Sequence, residues 1–226
     1  ARLPDGTAGI ITEHHRGDGL TARIKDGALT VAESLSVLMT LFTVLRRIHT
    51  NGLYHLDLRP ETVHLIERDG GHGPELQLHG TGIQQLLKRS MPGLLGGAAF
   101  GHPLFLAPEQ WVNRSVDGRA DLYTAGLIGF VLLLGRHFIP AGEPLEVCQH
   151  HFTTPRPKID TTPRGEAVPR ALVELLGTLT QADPNQRLSS ADEALRYIDH
   201  AWNQMPSRPP SPLPATPASR PPFAIQ

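Results

Sequence analysis

Cysteine is nearly missing from these 226 residues: Cys148 stands alone, so no internal disulfide can form. Nothing in the covalent chemistry then calls for an oxidising compartment, and a cytoplasmic location is the expectation. Aromatic residues make up only 5% of the chain, which leaves a core to be built mainly from Leu, Val and Ala. An excess of either charge is missing too, with 21 Lys and Arg against 22 Asp and Glu. That balance gives no support to a nucleic-acid or anionic-membrane binder. Long apolar runs are absent: the longest, Leu122 to Leu134, is too short and too interrupted for a membrane span. No signal peptide is visible, although a chain opening on Ala1 is expected to have lost its true beginning. No internal repeat is visible either.

What is present is a succession of helix signals with few strands. Thr30-Val31-Ala32-Glu33 is a capping box, followed by Leu35, Leu38, Phe42 and Leu45 at helical spacing and closed by Asn51-Gly52. Val63 to Ile66 and Leu76 to His79 read as a hairpin around a Gly-rich turn. Residues 83–106 carry Gly93, Gly96, Gly97, Gly101 and two prolines, and are expected to form a mobile loop without helical or strand period. From about Arg119 to Leu134 the chain is apolar on nearly all faces, the pattern of a buried helix. Val168 to Gln181 is amphipathic with Pro169 in its first turn, and Ser190-Ala191-Asp192-Glu193 caps a last helix to about Trp202. Pro206 to Pro222 is too poor in apolar residues to bury a core and reads as a disordered tether.

Four motifs point to one family. His55-Leu56-Asp57-Leu58-Arg59-Pro60-Glu61-Thr62 resembles the protein-kinase catalytic loop His-Arg-Asp-Leu-Lys-Pro-Glu-Asn. Gly101-His102-Pro103-Leu104-Phe105-Leu106-Ala107-Pro108-Glu109, Asp121-Leu122-Tyr123-Thr124-Ala125-Gly126 and Asp183-Pro184-Asn185-Gln186-Arg187 follow in the order of the kinase C-terminal lobe. The chain therefore resembles the large lobe of a bacterial-type serine/threonine protein kinase, in degenerate form: a pseudokinase. The implied fold is mainly α, with a short β-hairpin under the nucleotide cleft. The implied division is 1–13 as a remnant of small-lobe strand and hinge, with Gly9 to Glu13 as its last strand. Residues 14–202 would be the lobe and 203–226 the Pro-rich tail. Most of the N-terminal lobe is expected to be missing.

The resemblance also assigns roles. Asp57 takes the place of the residue that accepts or orients the substrate hydroxyl proton; its plain structural role would be a loop or cap residue. Arg59 replaces the loop Lys beside the transferring phosphoryl, keeping charge but changing geometry. Thr62 and Gly80 stand where the two metal ligands would be, and neither is a good ligand for a hard cation. Losing one well-placed charge stabiliser typically costs ~10²–10³ in rate, so vestigial roles are expected for Asp57 and Arg59. Glu13, His64 and His79 are the candidate nucleotide contacts. Thr81 replaces the Phe that would stack with His55, and Leu56 the Arg that would meet a phosphorylated segment. Glu109 with Arg187, Asp121 and His55 are architectural, and Ser90 is the single regulatory hydroxyl in the loop.

The expected function is a catalytically impaired regulatory or protein-binding module, partnered by a true kinase or by a domain fused through the tail. No nucleic-acid partner is expected. No cofactor is expected either, beyond ATP held without conventional magnesium. Two rivals remain. One is an ATP-dependent serine/threonine kinase with Asp57 as base, an atypical metal site and a small lobe supplied elsewhere. The other is a scaffold that never meets nucleotide. His14-His15 and Cys148-Gln149-His150-His151 lack a second ligand pair at finger-like spacing. His55, His64 and His79 could approach one another in the cleft. The tail also holds an SH3-type proline pattern, for which a plain linker is the simpler reading.

Overall fold

The computed structural model describes residues 18–25, 27–66, 75–90, 101–112 and 115–205. In chain order these form β1 (Asp18–Gly19), α1 (Leu20–Ile24), α2 (Val31–Thr50), β2 (Val63–Ile66), β3 (Glu75–Leu78), α3 (Ile83–Ser90), α4 (Pro108–Trp111), α5 (Gly118–Leu134), α6 (Pro144–Thr153), α7 (Arg170–Leu179) and α8 (Ala191–Asn203). The fold is thus mainly α, with one small antiparallel sheet in the order β1-β2-β3. The expected hairpin pairs Val63 with Leu78 and Ile66 with Glu75, and β1 adds a third strand through Asp18 opposite Leu65. Gly9 to Glu13, His14-His15, the turn at 67–74 and the Pro-rich tail lie outside the described residues.

The axis of the molecule is α5, in which residues 120 to 133 are all buried. An apolar helix of this kind needs neighbours on every side, and α2, α7 and the 103–107 segment provide them. Gly126 and Gly129 let α7 come close. A Cβ on Gly126 would lie 2.8 Å from that of Leu179, and one on Gly129 would overlap the Leu176 side chain. On α2, Leu35, Leu38, Phe42 and Leu45 are fully buried. Each such side chain stabilises the fold by about 1.5–3 kcal/mol.

The helix ends explain where these elements start and stop. Thr30 Oγ1 accepts the Glu33 N–H at 3.1 Å, and the Glu33 carboxylate accepts the Thr30 N–H at 2.9 Å. A second carboxylate, from Glu166, accepts the Val31 N–H at 2.7 Å. At the far end Gly52 adopts φ +68°, which lets the chain turn out of α2. At α8 the expected box closes differently. Ser190 Oγ accepts the Glu193 N–H, but the Glu193 carboxylate turns to the N–H and hydroxyl of Ser189 at 2.9 and 3.0 Å. Pro169 is the N-cap of α7 rather than a residue of its first turn.

Ile83–Ser90 corrects the loop expected for 83–106: it is an α-helix. Ile83, Leu86 and Leu87 stand at helical spacing, but that period covers little more than one turn and does not announce a helix by itself; the anchoring of the helix is polar. Gln84 is the buried residue while Leu86 is 56% exposed. Gln85 accepts the Tyr54 N–H at 2.7 Å and donates to the Gly52 carbonyl at 3.2 Å. A 3-10 turn at Pro103–Phe105 follows later in the same stretch, and residues 91–100 are not described.

The joint between α6 and α7 is made by Arg156. Its guanidinium donates to the carbonyls of Thr180, Thr154 and His151, with no carboxylate partner among the described residues. On α6, His151 is fully buried; its Nε2 donates to the Pro103 carbonyl at 2.8 Å. That fixes the tautomer, so Nδ1 accepts from the Tyr123 hydroxyl at 2.8 Å. Burial pushes the His151 pKa down to about 4.

Candidate functional site

The loop from His55 to Thr62 joins α2 to β2 and is held from below by one carboxylate. Asp121, 1% exposed in the first turn of α5, accepts the N–H groups of His55 and Leu56 at 2.8 and 2.7 Å. The same carboxylate meets His49 Nε2 at 2.9 Å. Leu56 takes φ +61°, a left-handed conformation that is uncommon outside glycine. Its side chain packs with Ala107, Ala120, Tyr123 and Leu127.

Asp57 follows, and it faces Arg59. One guanidinium nitrogen donates to both of its oxygens, at 2.8 and 3.0 Å. Gly101 crowds the same carboxylate: at φ +130°, a Cβ there would stand 2.9 Å from Asp57 Oδ1. Only a residue without a side chain fits both that conformation and that approach.

His55 is fully buried, and its ring spans the site. Nδ1 accepts the Asp57 N–H at 3.3 Å, so Nε2 is the donor to the His79 carbonyl at 2.9 Å. Burial holds its pKa below the ordinary imidazole value against the opposing charge of Asp121. Thr62 folds onto its own loop: Oγ1 accepts the Arg59 N–H at 3.0 Å and donates to the Arg59 carbonyl at 2.9 Å. Gly80 has φ +90°, and a Cβ there would point toward Ile83 and His55 at 3.8 and 4.0 Å.

The sheet brings His64 and His79 together, with ring centroids 4.2 Å apart and planes inclined by 47°. His64 Nε2 meets the Glu61 carbonyl at 3.1 Å, leaving its buried Nδ1 without a hydrogen-bond partner. Among the described residues no group of three His, Cys, Asp or Glu side chains is placed to hold a metal ion.

Below the loop, Arg187 and Glu109 form a two-pronged pair at 2.7 and 2.8 Å, both nearly inaccessible. The remaining Arg187 donors go to the carbonyls of Gln181, Arg119 and Ala182, and its guanidinium lies 4.6 Å from the Tyr123 ring centre. Of the other expected site residues, Ser90 ends α3 and Glu13 lies outside the described residues.

The chain matches the protein kinase domain over residues 5–202. It belongs to the protein kinase family. Pkn1, a serine/threonine-protein kinase of Myxococcus xanthus, is 34% identical over 163 residues, which is 72% of this chain and 23% of that protein. A second kinase of the same organism, pkn2, is 30% identical over 81% of this chain and 22% of its own length. A protein of Corynebacterium efficiens with the name serine/threonine-protein kinases drp72 is 28% identical over 90% of this chain and 37% of its own. The kinase-like chain thus spans only about a quarter to over a third of the length of these relatives. Its described residues hold no helix long and apolar enough to cross a membrane.

Five side chains that organise this kinase lobe were given no such part by the sequence. His49 left a faint signal, in the last turn of α2. Gln110 and Arg156 left none, and Tyr123 and His151 stood there only within a motif and a histidine cluster, because each acts on backbone groups or on another uncharged group.

Proposed function

We propose that this kinase-like lobe is a catalytically impaired module that regulates or binds another protein. The observation that carries the reading is the condition of the two positions that, by resemblance, would hold metal. Gly80 has no side chain, and Thr62 Oγ1 is a neutral hydroxyl whose proton and one of whose two lone pairs are engaged by the Arg59 backbone. These donors do not fit a hard divalent cation, which takes carboxylate and carbonyl oxygens. Phosphoryl transfer rests on positioning and on neutralising developing charge, with metal as a main contributor. The partner that this reading implies is a protein, either an active kinase or a domain joined through the Pro-rich tail.

The second reading is an ATP-dependent serine/threonine kinase with Asp57 as base. It is favoured by the intact Asp121 clamp beneath the loop and by the names of the relatives. Thermal unfolding of the chain with ATP or ADP, each with and without Mg²⁺ or Mn²⁺, separates the two. The impaired module gives no metal-dependent shift at millimolar nucleotide. A metal-dependent shift, joined to phosphoryl transfer that Asp57→Asn abolishes, would overturn it. Ligand at about 100 times its Kd stabilises a native state by about 2.7 kcal/mol, well within reach of the measurement.

A further inference from the structure

Leu56 is the one described non-glycine residue with positive φ, and it immediately precedes Asp57. A left-handed leucine persists only where its surroundings over-determine it. Two side chains grip its peptide groups from opposite sides. Asp121 accepts its N–H at 2.7 Å, and Gln110 Nε2 donates to its carbonyl at 2.8 Å. The other end of the same Gln110 amide, Oε1, accepts the Ala107 N–H at 3.0 Å. One neutral side chain therefore spans from the loop before Asp57 to the segment that carries Glu109, itself fixed by Arg187. Leu56, Ala107 and Tyr123 belong to one buried apolar cluster, so the amide bridge lies beside an apolar junction. Neither contact of the Gln110 amide involves a charge or a phosphate.

We infer that Gln110 is a positioning residue, whose amide holds the backbone of Leu56 left-handed and so sets where Asp57 is presented, without phosphorylation of the 101–112 segment. The inference goes beyond the proposed function. It applies equally whether Asp57 faces a reacting hydroxyl or forms part of a docking surface. A purely local role is the plain alternative: Gln110 would cap α4 through Oε1 alone. The two roles use different atoms, and glutamate separates them. Gln110→Glu keeps an acceptor for the Ala107 N–H but removes the donor to Leu56 and sets a carboxylate oxygen against its carbonyl.

The experiment is backbone amide hydrogen exchange, read residue by residue in the whole chain, for wild type, Gln110→Glu and Gln110→Met. Positioning predicts that Gln110→Glu exchanges about tenfold faster at Leu56 and Asp57 while α7 and α8 are unchanged. Gln110→Met should loosen the same two amides at least as much. A Gln110→Glu protein that matches wild type at Leu56 and Asp57 overturns the inference and leaves only the cap. Leu56→Gly supplies a second check, since glycine adopts this conformation without a brace. In that background Gln110→Glu should change exchange at residue 57 by less than about twofold. A persisting tenfold effect would show that the bridge does not act by holding the left-handed backbone. If Gln110→Met fails to fold, the glutamate variant decides alone.

Discussion

Arg59 closes over Asp57, one of its guanidinium nitrogens reaching both carboxylate oxygens from two residues along the loop. The side chains remain 30% and 26% exposed, so water screens the pair. Such pairs contribute about 0–1 kcal/mol. Asp57→Asn is therefore expected to fold with an unchanged urea slope and a stability within about 1 kcal/mol of wild type. A larger loss in equilibrium unfolding would mean that the carboxylate carries the loop's architecture.

The Glu109–Arg187 pair should behave oppositely. Both partners are buried, and every Arg187 nitrogen has an oxygen partner. Replacing Arg187 with Met strands the Glu109 carboxylate away from water, at a cost of about 3–5 kcal/mol. Urea unfolding of R187M and of the double variant Glu109→Leu with R187M checks this. The double variant should recover part of the loss, because no unpaired charge is left behind.

Acid should act through His151. Its folded pKa, about 4, lies below the unfolded imidazole value of about 6.5. The unfolded chain consequently binds the extra proton first. The stability contributed is complete above about pH 6.5 and is lost as pH falls toward 4, by at most on the order of 3 kcal/mol. Urea midpoints taken from pH 7.5 down to 5 should fall. His151→Gln, which cannot titrate, should flatten part of that slope even if it starts from a less stable protein. Among the described residues the groups that act on the ring are the Tyr123 hydroxyl, the Pro103 carbonyl, Arg156, His137 and His150, none of them a carboxylate. An unaltered slope would assign the acid sensitivity to other groups.

Much of the helical frame was legible because it follows from single-helix physics. The capping box at Thr30, the turn at Gly52 and the all-apolar run of α5 each carry their reason in neighbouring residues. The contacts of Glu109 with Arg187 and of Asp121 with the loop were legible only through motif order, since 78 and 65 residues separate the partners. Legibility failed where polar groups carry the packing. In α3 the apolar period of Ile83, Leu86 and Leu87 covers little more than one turn, and the residues that anchor the helix are Gln84 and Gln85, so the period did not stand out. The two-residue strand β1 is defined only by its neighbour, and the Gln110 bridge joins two main-chain groups that any sequence possesses.

Arg156 has a consequence for how the lobe comes apart. Its guanidinium is surrounded by peptide oxygens, which neither gain nor lose protons between acid and alkaline conditions. While the ring of His151, whose carbonyl is one of those acceptors, responds to acid, the bonds that Arg156 itself makes across the seam between α6 and α7 do not titrate. A lysine could not take its place, because three ammonium donors on one point cannot fan out across carbonyls set in different directions. The lobe thus sets a fastening whose acceptors do not titrate, Arg156, five residues along the chain from a group that does, the buried ring of His151.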